Sequence, residues 1–403
     1  MRILLLRQYN PFVENGASAN RFRGLIEGLR RLGNVVDVAV VGGYIQRQEH
    51  EEKMQGVVYL SQADHYSYWM GRLNTYIFDR LNQPIIRRRF RKLDISSYDV
   101  IWLTNDATVL KLFISENKRI SCKSFMELNE FNDIYKGKGA TGNILQRIAG
   151  KQSNEVFGET IGKIDLFAVM TRTLLAHYQK MSKPSARFLH LPMTVDLNRF
   201  VQCPVAERDN PYIAFTGTFN NAKDGVDILI KAFGKIAETY PALHLRLAGF
   251  WHYDVPGQEK LIQELGLTER IHYVGVLNRE QIPPFLCQAS LLALSRPDSH
   301  QAQGGFPTKL GEYLATGNPV CVTKVGEIPD YLEDNVSAFM ADPGSVDSFA
   351  DAMDRALRDS ENARKVGIRG RDVAEREFNV EIQSKKLLDF LRVADSQPVE
   401  QKA

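Results

Sequence analysis

The sequence has little cysteine. Four cysteines occur in 403 residues, and they form neither a CxxC pair nor a Cys/His spacing that would hold zinc. This pattern excludes a cysteine-based zinc site and predicts reduced thiols that pack in the interior. The four are Cys122, Cys203, Cys287 and Cys321.

Long hydrophobic runs are also missing. No segment approaches the ~20 consecutive apolar residues that a membrane-spanning helix needs. The opening residues, MRILLLRQYNPF, hold an apolar run that is too short for a secretory signal. We therefore expect a cytoplasmic protein, either soluble or bound peripherally at the inner face of the membrane.

Neither sign of charge is in clear excess, since 51 basic residues face 48 acidic ones and the net charge is +3. This balance does not indicate a nucleic-acid partner. The histidines show no HxH or HExxH spacing, and no DxD pair with nearby histidines lies in a suitable loop. We assign no histidine to catalysis, and we expect neither an obligatory metal nor a cofactor.

The chain is long enough for two domains. Its 403 residues are more than a domain with a single hydrophobic core usually has, and its 44% hydrophobic content is sufficient for two cores. Apolar runs alternate with helical patterns in both halves, which predicts an α/β fold of two doubly wound, Rossmann-like domains with parallel sheets. The first half has predicted strands at Arg2–Leu6, Val35–Val41, Val100–Leu103, Ser124–Leu128 and Leu166–Val169, and a helix at Ser18–Leu32. The second half has predicted strands at Tyr212–Thr216, His244–Ala248, Ile271–Val274, Leu291–Leu294 and Pro319–Val322, and helices at Gly225–Thr239, Gln258–Leu265, Arg279–Ala289 and Val346–Asp359.

The polar stretch Asn198–Pro211 lacks periodicity and is the best linker candidate. We place the first domain at residues 1–200 and the second at residues 201–380. Residues 381–403 are predicted to form a helix that crosses back to the first domain, followed by a disordered tail.

The segment GGFPTKLGEYLATGNPVCVT, residues 304–323, predicts a loop, a helix, a stop and a buried strand. Pro307 and Thr308 suit the first positions of the helix, so the backbone amides from Phe306 to Lys309 and the positive end of the helix dipole can bind a diphosphate. Lys309 adds a mobile cation, and Glu312 follows on the same helix face, where it can accept ribose hydroxyls. A solvated helix face is the alternative.

The loop after the strand at Tyr212–Thr216 offers Gly217, where backbone can approach a ligand, and Thr218 and Lys223 as donors to an anion. A plain turn capped by Asn and Asp is the alternative. No GxGxxG fingerprint follows the first strand of either half.

In the first half, Glu127, Asn129, Glu130 and Asp133 lie at or just past a strand end, where they could hold a sugar or act as a general base. A polar loop with one N-cap would explain them equally. Gly16, near the start of the first helix, could let backbone amides touch a substrate, or could simply turn the chain.

Residues 66–93, YSYWMGRLNTYIFDRLNQPIIRRRFRKL, mix aromatic and basic side chains. This composition suits an anionic membrane surface or a lipid-diphosphate acceptor. A solvated helix hairpin with stacked arginines is the alternative. No RNA-binding or helix-turn-helix pattern accompanies the segment.

Several separated motifs together resemble the GT-B-fold glycosyltransferases of family four, a group that includes bacterial polysaccharide and lipid-sugar transferases. The motifs are LPMTVDLNRF at 191–200, AFTGTFNNAKDGVDILIKAF at 214–233, LRLAGF, IHYVGVLNREQIPPFL, and the segment at 304–323. The resemblance is specific over residues 191–380 and loose in the first half. It implies two Rossmann-like domains that face each other across a cleft, the first on the acceptor side and the second binding the nucleotide-sugar.

The resemblance also implies roles. Lys223 would be catalytic, stabilising the leaving diphosphate, and Glu312 would bind the ribose. Asn129 stands where many members have histidine, and Glu130 follows it, so both are candidate catalytic residues. The donor diphosphate would be bound by Gly16, Gly217, Thr218, Lys223, Phe306, Pro307, Thr308 and Lys309, and Val276 and Leu277 would line the base pocket.

Two positions depart from the family pattern. Gly304 replaces the glutamate that touches the donor sugar in many members, so Gln303, Gly304 and Gly305 mark the donor-sugar vicinity, with Gln301 or Gln303 as substitutes. Thr218 replaces a customary arginine.

The resemblance implies a retaining, metal-independent glycosyltransferase that moves a sugar from a nucleotide-diphosphate sugar to a glycan or lipid-linked acceptor in cell-surface polysaccharide biosynthesis. A nucleotide-sugar epimerase or a phosphorylase on the same fold is one alternative. The other is a degenerate, non-catalytic partner that binds nucleotide-sugar.

Overall fold

The computed structural model describes residues 1–14, 16–42, 56–60, 79–132, 144–201 and 210–393. They form two compact units. The first unit comprises residues up to Leu191 together with the C-terminal segment from Ser384, and the second comprises Pro192–Gln383. The observed division therefore falls at residues 191/192 and 383/384.

The first unit is built on a parallel seven-stranded sheet. Its strands stand in the order β3-β2-β1-β4-β5-β6-β7. Leu5 of β1 is in register with Val38 of β2 on one side and with Trp102 of β4 on the other. The strands are β1 Arg2–Arg7, β2 Val35–Val40, β3 Val57–Tyr59, β4 Val100–Leu103, β5 Lys123–Leu128, β6 Leu166–Val169 and β7 Arg187–His190.

Helices flank this sheet. The first helix buries Phe22 and Leu25, and the Phe22 ring lies 5.2 Å from the ring of Trp102 in β4. Arg30 and Arg31 in its last turn complement the negative end of the helix dipole. The helices are α1 Ala17–Arg31, α2 Asp79–Phe90, α3 Ala107–Glu116, α4 Ile144–Ile161 and α5 Arg172–Gln179.

The second unit has a parallel six-stranded sheet in the order β10-β9-β8-β11-β12-β13. The strands are β8 Tyr212–Thr218, β9 His244–Phe250, β10 Ile271–Gly275, β11 Leu291–Leu294, β12 Val320–Thr323 and β13 Phe339–Ala341. The helices are α6 Asn221–Asp224, α7 Val226–Ile236, α8 Val255–Glu264, α9 Ile282–Cys287, α10 His300–Gly304, α11 Thr308–Ala315, α12 Ile328–Tyr331, α13 Val346–Arg358 and α14 Ser360–Val373. A π-helical turn, Ala374–Phe378, then leads into α15, Val380–Val393.

The central strands are buried along their whole length, as expected where helices cover both faces of a parallel sheet. The strand order reverses between β1 and β4 in the first unit and between β8 and β11 in the second. Ligands of such sheets bind outside the carboxyl ends of the strands at this reversal. The predicted fold class, two Rossmann-like α/β domains, is confirmed.

The predicted helix at Gly225–Thr239 corresponds to α7, Val226–Ile236, with Gly225 as its N-cap residue. The chain forms the short helix α6, turns at Gly225, and only then enters α7. Gly225 has a φ of +66°, and a Cβ at this position would overlap the carbonyl oxygen of Ser295. Close packing of Gly225 against the loop that carries Ser295 therefore separates α6 from α7.

The prediction of four reduced cysteines is wrong for Cys287, which is disulfide-bonded, whereas Cys122 and Cys321 are free thiols. Sequence spacing does not show which distant cysteines a fold brings together.

No helix among the described residues is long and apolar enough to cross a membrane.

Candidate active site

At the strand reversal of the second unit, the end of β8 passes directly beneath Lys309 of α11. Gly217 has a φ of +149°, a backbone conformation that other residues rarely adopt. A Cβ at this position would overlap the Nζ atom of Lys309. Glycine is therefore required here both by conformation and by the close approach of the lysine.

Lys309 is held from two sides. Its Nζ atom lies 2.9 Å from Oδ2 of the buried Asp224 and 4.7 Å from the centroid of the Phe215 ring. Burial lowers the pKa of Lys309, and the charges of Arg296 and Lys223 act in the same direction, whereas Asp224 opposes them. The prediction of a mobile cation is therefore wrong, because the ion pair ties α11 to the loop after β8.

Helix α11 begins at Thr308, and Pro307 is its N-cap residue. The side chain of Pro307 has no hydrogen-bond acceptor, so the N-cap residue itself does not cap the amides of the first turn. Phe306, just before, is buried against Tyr331 and Phe378, with ring centroids 5.6 and 5.5 Å away. A fixed, uncapped helix start with a lysine at its second position favours an anion.

Lys223 completes this cluster. Its backbone amide donates to Oδ1 of Asn220, which fixes the short helix α6, and its charge acts on the pKa of Lys309. The structure thus brings together Gly217, Thr218, Lys223 and the segment from Phe306 to Lys309, as the sequence predicted for a diphosphate site. Their binding of a diphosphate stays a prediction.

Glu312 lies one turn further along α11, where it forms an ion pair with Arg199. The Nη2 atom of Arg199 also donates to the carbonyl oxygen of Arg279, at 2.8 Å. Arg279 belongs to the loop that carries Val276, which is exposed, and Leu277, which is half-buried. One guanidinium therefore joins Glu312 to the loop that carries the candidate base residues.

Sequence reasoning missed Arg199. The residue lies within the motif LPMTVDLNRF, whose last residues were assigned to a linker because they lack periodicity. The motif itself is the available signal, since the observed division at 191/192 places Arg199 in the second unit together with Glu312.

The donor-sugar candidates lie between α10 and α11. Gly304 ends α10, and the carbonyl oxygen of Gly305 accepts from Nη1 of Arg296, at 3.3 Å. The side-chain amide of Gln303 donates to Oδ1 of Asp298, at 2.6 Å. Gln303 is therefore already engaged, and its substitution for the missing glutamate stays a prediction.

In the first unit, Glu127 near the end of β5 forms a deeply buried ion pair with Arg21 of α1. Nη2 of Arg21 also donates to the carbonyl oxygen of Leu191, at 3.0 Å. Oε2 of Glu127 and Oδ1 of Asn129 are buried acceptors with no hydrogen-bond partner within the described residues. Glu127 thus lies within β5 and has a structural partner in the same unit.

Asn129 and Glu130 are half-buried, and Tyr178 holds the backbone beside them. The hydroxyl of Tyr178 donates to the carbonyl oxygen of Glu130 and accepts from the amide of Asn132, both at 2.9 Å. Asp133 lies outside the described residues. The loop after β5 is therefore fixed by one buried hydroxyl.

Gly16 is the N-cap residue of α1, with a φ of +134° and no neighbour near the position of a Cβ. Backbone conformation, and not space, therefore requires glycine at this position. Its contact with a substrate stays a prediction.

The basic segment at residues 66–93 is described only in part, since residues 61–78 lie outside the described residues. Helix α2 carries Arg87, Arg88 and Arg89 in its last turn. Arg91 forms a bidentate pair with Glu116, whereas Arg88 and Lys92 are exposed.

Parts of the chain are similar to proteins of known family. The family described as glycosyl transferases group 1 matches residues 202–373. A GDP-mannose-dependent alpha-(1-6)-phosphatidylinositol monomannoside mannosyltransferase of Mycobacterium tuberculosis is 26% identical over 226 residues, which are 53% of this chain and 58% of that protein. An amylovoran biosynthesis glycosyltransferase of Erwinia amylovora is 27% identical over 173 residues, 42% of each chain. The chain thus spans about half the length of these curated relatives.

The fold resembles solved structures over nearly the whole chain. HepE of Anabaena, solved in complex with UDP and glucose, superimposes with a TM-score of 0.73 over 97% of this chain and 99% of that one, at 16% identity. This likeness shows the fold. Residues 202–373 are therefore similar to the group 1 glycosyltransferases, and the two Rossmann-like domains have the GT-B fold.

Proposed function

We propose that the protein is a glycosyltransferase that moves a sugar from a nucleotide-diphosphate sugar to a glycan or lipid-linked acceptor in cell-surface polysaccharide biosynthesis. The observation that carries the proposal is the uncapped start of α11, with Lys309 tied to Asp224 over Gly217 at the strand reversal. The names of the relatives support it, since one uses GDP-mannose and one serves amylovoran biosynthesis.

Sugar transfer requires positive charge next to the leaving diphosphate, and this cluster supplies it. When the bond between the sugar and the diphosphate breaks, negative charge develops on the leaving phosphate. Lys223, the amides of the first turn of α11 and the dipole of that helix would stabilise this charge. In the proposed reaction no metal is required, because these groups supply the positive charge.

We propose that transfer retains the configuration at the sugar. The acceptor hydroxyl would attack from the face that the diphosphate leaves, and an oxygen of the leaving phosphate would take its proton. Asn129 and Glu130 would act on the acceptor side. No protein nucleophile is needed on this route.

The nucleotide end would be bound one turn further along α11. One oxygen of Glu312 is held by Arg199, and the carboxylate retains acceptor capacity for a ribose hydroxyl. The loop with Val276 and Leu277, which Arg199 joins to Glu312, would line the base.

The test is a calorimetry screen of UDP-, GDP-, ADP- and CMP-linked sugars against the protein and its Glu312→Ala variant. We expect saturable binding of one nucleotide class and its loss in the variant. Glu361→Ala is the matched control, because Glu361 pairs with Lys365 on the exposed surface of α14. Equal donor affinity in wild type and Glu312→Ala would remove Glu312 from the site.

A non-catalytic nucleotide-sugar-binding partner is the second candidate. Two departures favour it, namely Gly304 in place of the family glutamate and Thr218 in place of arginine. Donor binding without sugar transfer to any acceptor would select this candidate.

Analysis of the products formed without acceptor tests the epimerase or phosphorylase alternative. NMR of the glycosidic linkage in the product tests whether transfer retains the configuration at the sugar.

We also infer peripheral binding to an anionic membrane, at its inner face, through residues 66–93. Exposed Arg88 and Lys92 support this inference, since each basic residue near an anionic surface adds about 1 kcal/mol. Sedimentation with phosphatidylglycerol vesicles should show binding that Arg88→Glu weakens and salt reduces. Lys231→Glu, on the exposed face of α7, is the control. Binding that both variants weaken equally would contradict the inference.

A further inference from the structure

Three aromatic residues at the end of β9 and just after it are exposed although their side chains are large and apolar. The exposed fractions are 49% for Phe250, 62% for Trp251 and 83% for Tyr253. Val274, exposed by 43%, lies on the neighbouring strand β10. Because β9 and β10 pair in parallel, these side chains lie at one edge of the sheet. Exposed apolar groups gathered in one patch mark a binding surface.

The aromatic rings are held in place from below. The Trp251 ring lies 5.7 Å from the Tyr273 ring, and the Tyr273 hydroxyl donates to Oε1 of Gln258, at 2.9 Å. The Tyr253 ring lies 3.9 Å from the His252 ring. These contacts fix the orientation of the rings before any ligand binds.

The histidine is itself fixed. Nδ1 of His252 lies 3.1 Å from Oδ2 of Asp254, and Nε2 lies 3.1 Å from the side-chain nitrogen of Asn220. Asp254 also accepts from the amide of Asn221, at 2.8 Å. His252 and Asp254, which flank Tyr253, therefore connect the loop after β9 to the loop after β8 through hydrogen bonds.

Aromatic faces next to amide and carboxylate groups suit a pyranose ring. Such a ring presents C–H groups on one face, which stack on an aromatic ring, and hydroxyls at its rim, which donate to carboxylate and amide oxygens. Burial, and next the charge of Glu259, raise the pKa of Tyr273, so the carboxylate of Glu259 acts on this surface in addition to that of Asp254. These two carboxylates disfavour an anionic membrane or a nucleic acid as the occupant.

We propose that Phe250, Trp251 and Tyr253 form an aromatic platform that binds the pyranose rings of an uncharged glycan, as part of the acceptor or product chain. The proposal deepens the proposed function and rests on it. It assigns to the second unit a sugar-binding surface that adjoins the diphosphate loop after β8, since Phe250 is in register with Thr218.

The test uses 5-fluorotryptophan and fluorine NMR. The chain has three tryptophans, so loss of one signal in Trp251→Phe assigns the resonance of Trp251. The probes are uncharged hexasaccharides of gluco-, galacto- and mannopyranose, added without nucleotide. We expect one of them to shift the Trp251 signal saturably, and Tyr253→Ala to weaken that binding about tenfold. Ile368→Ala, which removes an exposed apolar side chain from α14 of the same unit, should leave it unchanged.

A nucleotide titration separates the two levels of the proposal. Glycan binding without nucleotide binding would support the platform and contradict the proposed transferase. Nucleotide binding with no glycan shift in the whole series would overturn the platform alone. A Trp251 signal that moves with nucleotide only, together with weaker nucleotide binding in Trp251→Ala, would also overturn it, because the ring would then belong to the base site.

Discussion

The two units share a strand order but hold the charged groups at their carboxyl edges differently. In the first unit, the side chains of Arg21 and Glu127 are only 2% and 1% exposed. In the second unit, those of Arg199 and Glu312 are 13% and 21% exposed. A fully buried pair is closed to ligands, whereas a partly exposed one keeps hydrogen-bonding capacity toward them.

The backbone differs in the same sense. Around β8, Gly217 and Gly225 allow loops to approach each other so closely that no Cβ would fit. In the first unit, Gly16 has open space around it, and the loop after β5 is held by the Tyr178 hydroxyl. The family match also falls in the second unit. A shared topology therefore supplies two equivalent edges, and local residues decide which edge can bind an anion.

The largest expected effect is on stability, through the buried pair of the first unit. Arg21→Ala leaves Glu127 charged and without its partner, so we expect the free energy of unfolding to fall by about 3 to 5 kcal/mol. Urea unfolding in a Trp251→Phe background measures it, since the remaining tryptophans belong to the first unit. Lys163→Ala, which breaks an exposed pair with Glu159, should cost less than about 1 kcal/mol.

A double variant sharpens this result. Arg21→Met combined with Glu127→Leu removes both charges and keeps apolar volume, so it should recover most of the lost stability. If Arg21→Ala lowers the free energy of unfolding no more than Lys163→Ala does, the contrast between the buried ion pair of the first unit and the partly exposed one of the second unit is wrong.

The second effect is on turnover in the second unit. Lys223→Ala should raise the activation barrier for transfer by about 2 to 4 kcal/mol if this lysine is a main donor to the leaving phosphate. Steady-state kinetics with saturating donor measures it. Lys231→Ala is the control, since that lysine pairs with Asp227 on the surface of α7. A wild-type rate for Lys223→Ala would remove this residue from the site.

The third effect concerns the close approach beneath Lys309. Gly217→Ala introduces a Cβ at a φ of +149° and pushes against the ammonium group, so donor affinity should fall by an amount on the order of 1 to 3 kcal/mol. Calorimetry measures it. Gly266→Ala places the same strain at a φ of +67° with open space around it, and should leave donor affinity unchanged. Equal donor affinity in both variants would refute the steric argument.

The smallest effect is at the loop after β5. Tyr178→Phe removes the hydroxyl that joins Glu130 and Asn132, at a cost of about 0.5 to 1.5 kcal/mol for each hydrogen bond. We expect kcat/KM for the acceptor to fall while donor affinity stays constant. Tyr240→Phe, which breaks a hydrogen bond to Asp354 in the second unit, should lower stability alone. An unchanged acceptor profile for Tyr178→Phe would contradict the assignment of this loop to the acceptor.

Much of the fold could be predicted from the sequence, because buried parallel strands read as short apolar runs. The predicted strands at Val100–Leu103, Leu166–Val169 and Leu291–Leu294 match the observed bounds. The three-residue strands β3 and β13 were not predicted, because they are too short for their pattern to stand out. The four-residue helix α6 was not predicted either, because a single turn is too short to show helical periodicity.

For the candidate site, the sequence alone indicated which residue types gather after each strand. Gly217, Lys223, Lys309 and Glu312 were found in this way, because the carboxyl ends of parallel strands meet at one edge. Their partners were decided only by the tertiary structure. Arg199 forms an ion pair with Glu312, 113 positions away in the sequence. Asp224 forms an ion pair with Lys309, although the two residues belong to separate motifs. Local pattern fixes where a strand or helix forms, whereas ion pairs between distant residues depend on how whole elements pack.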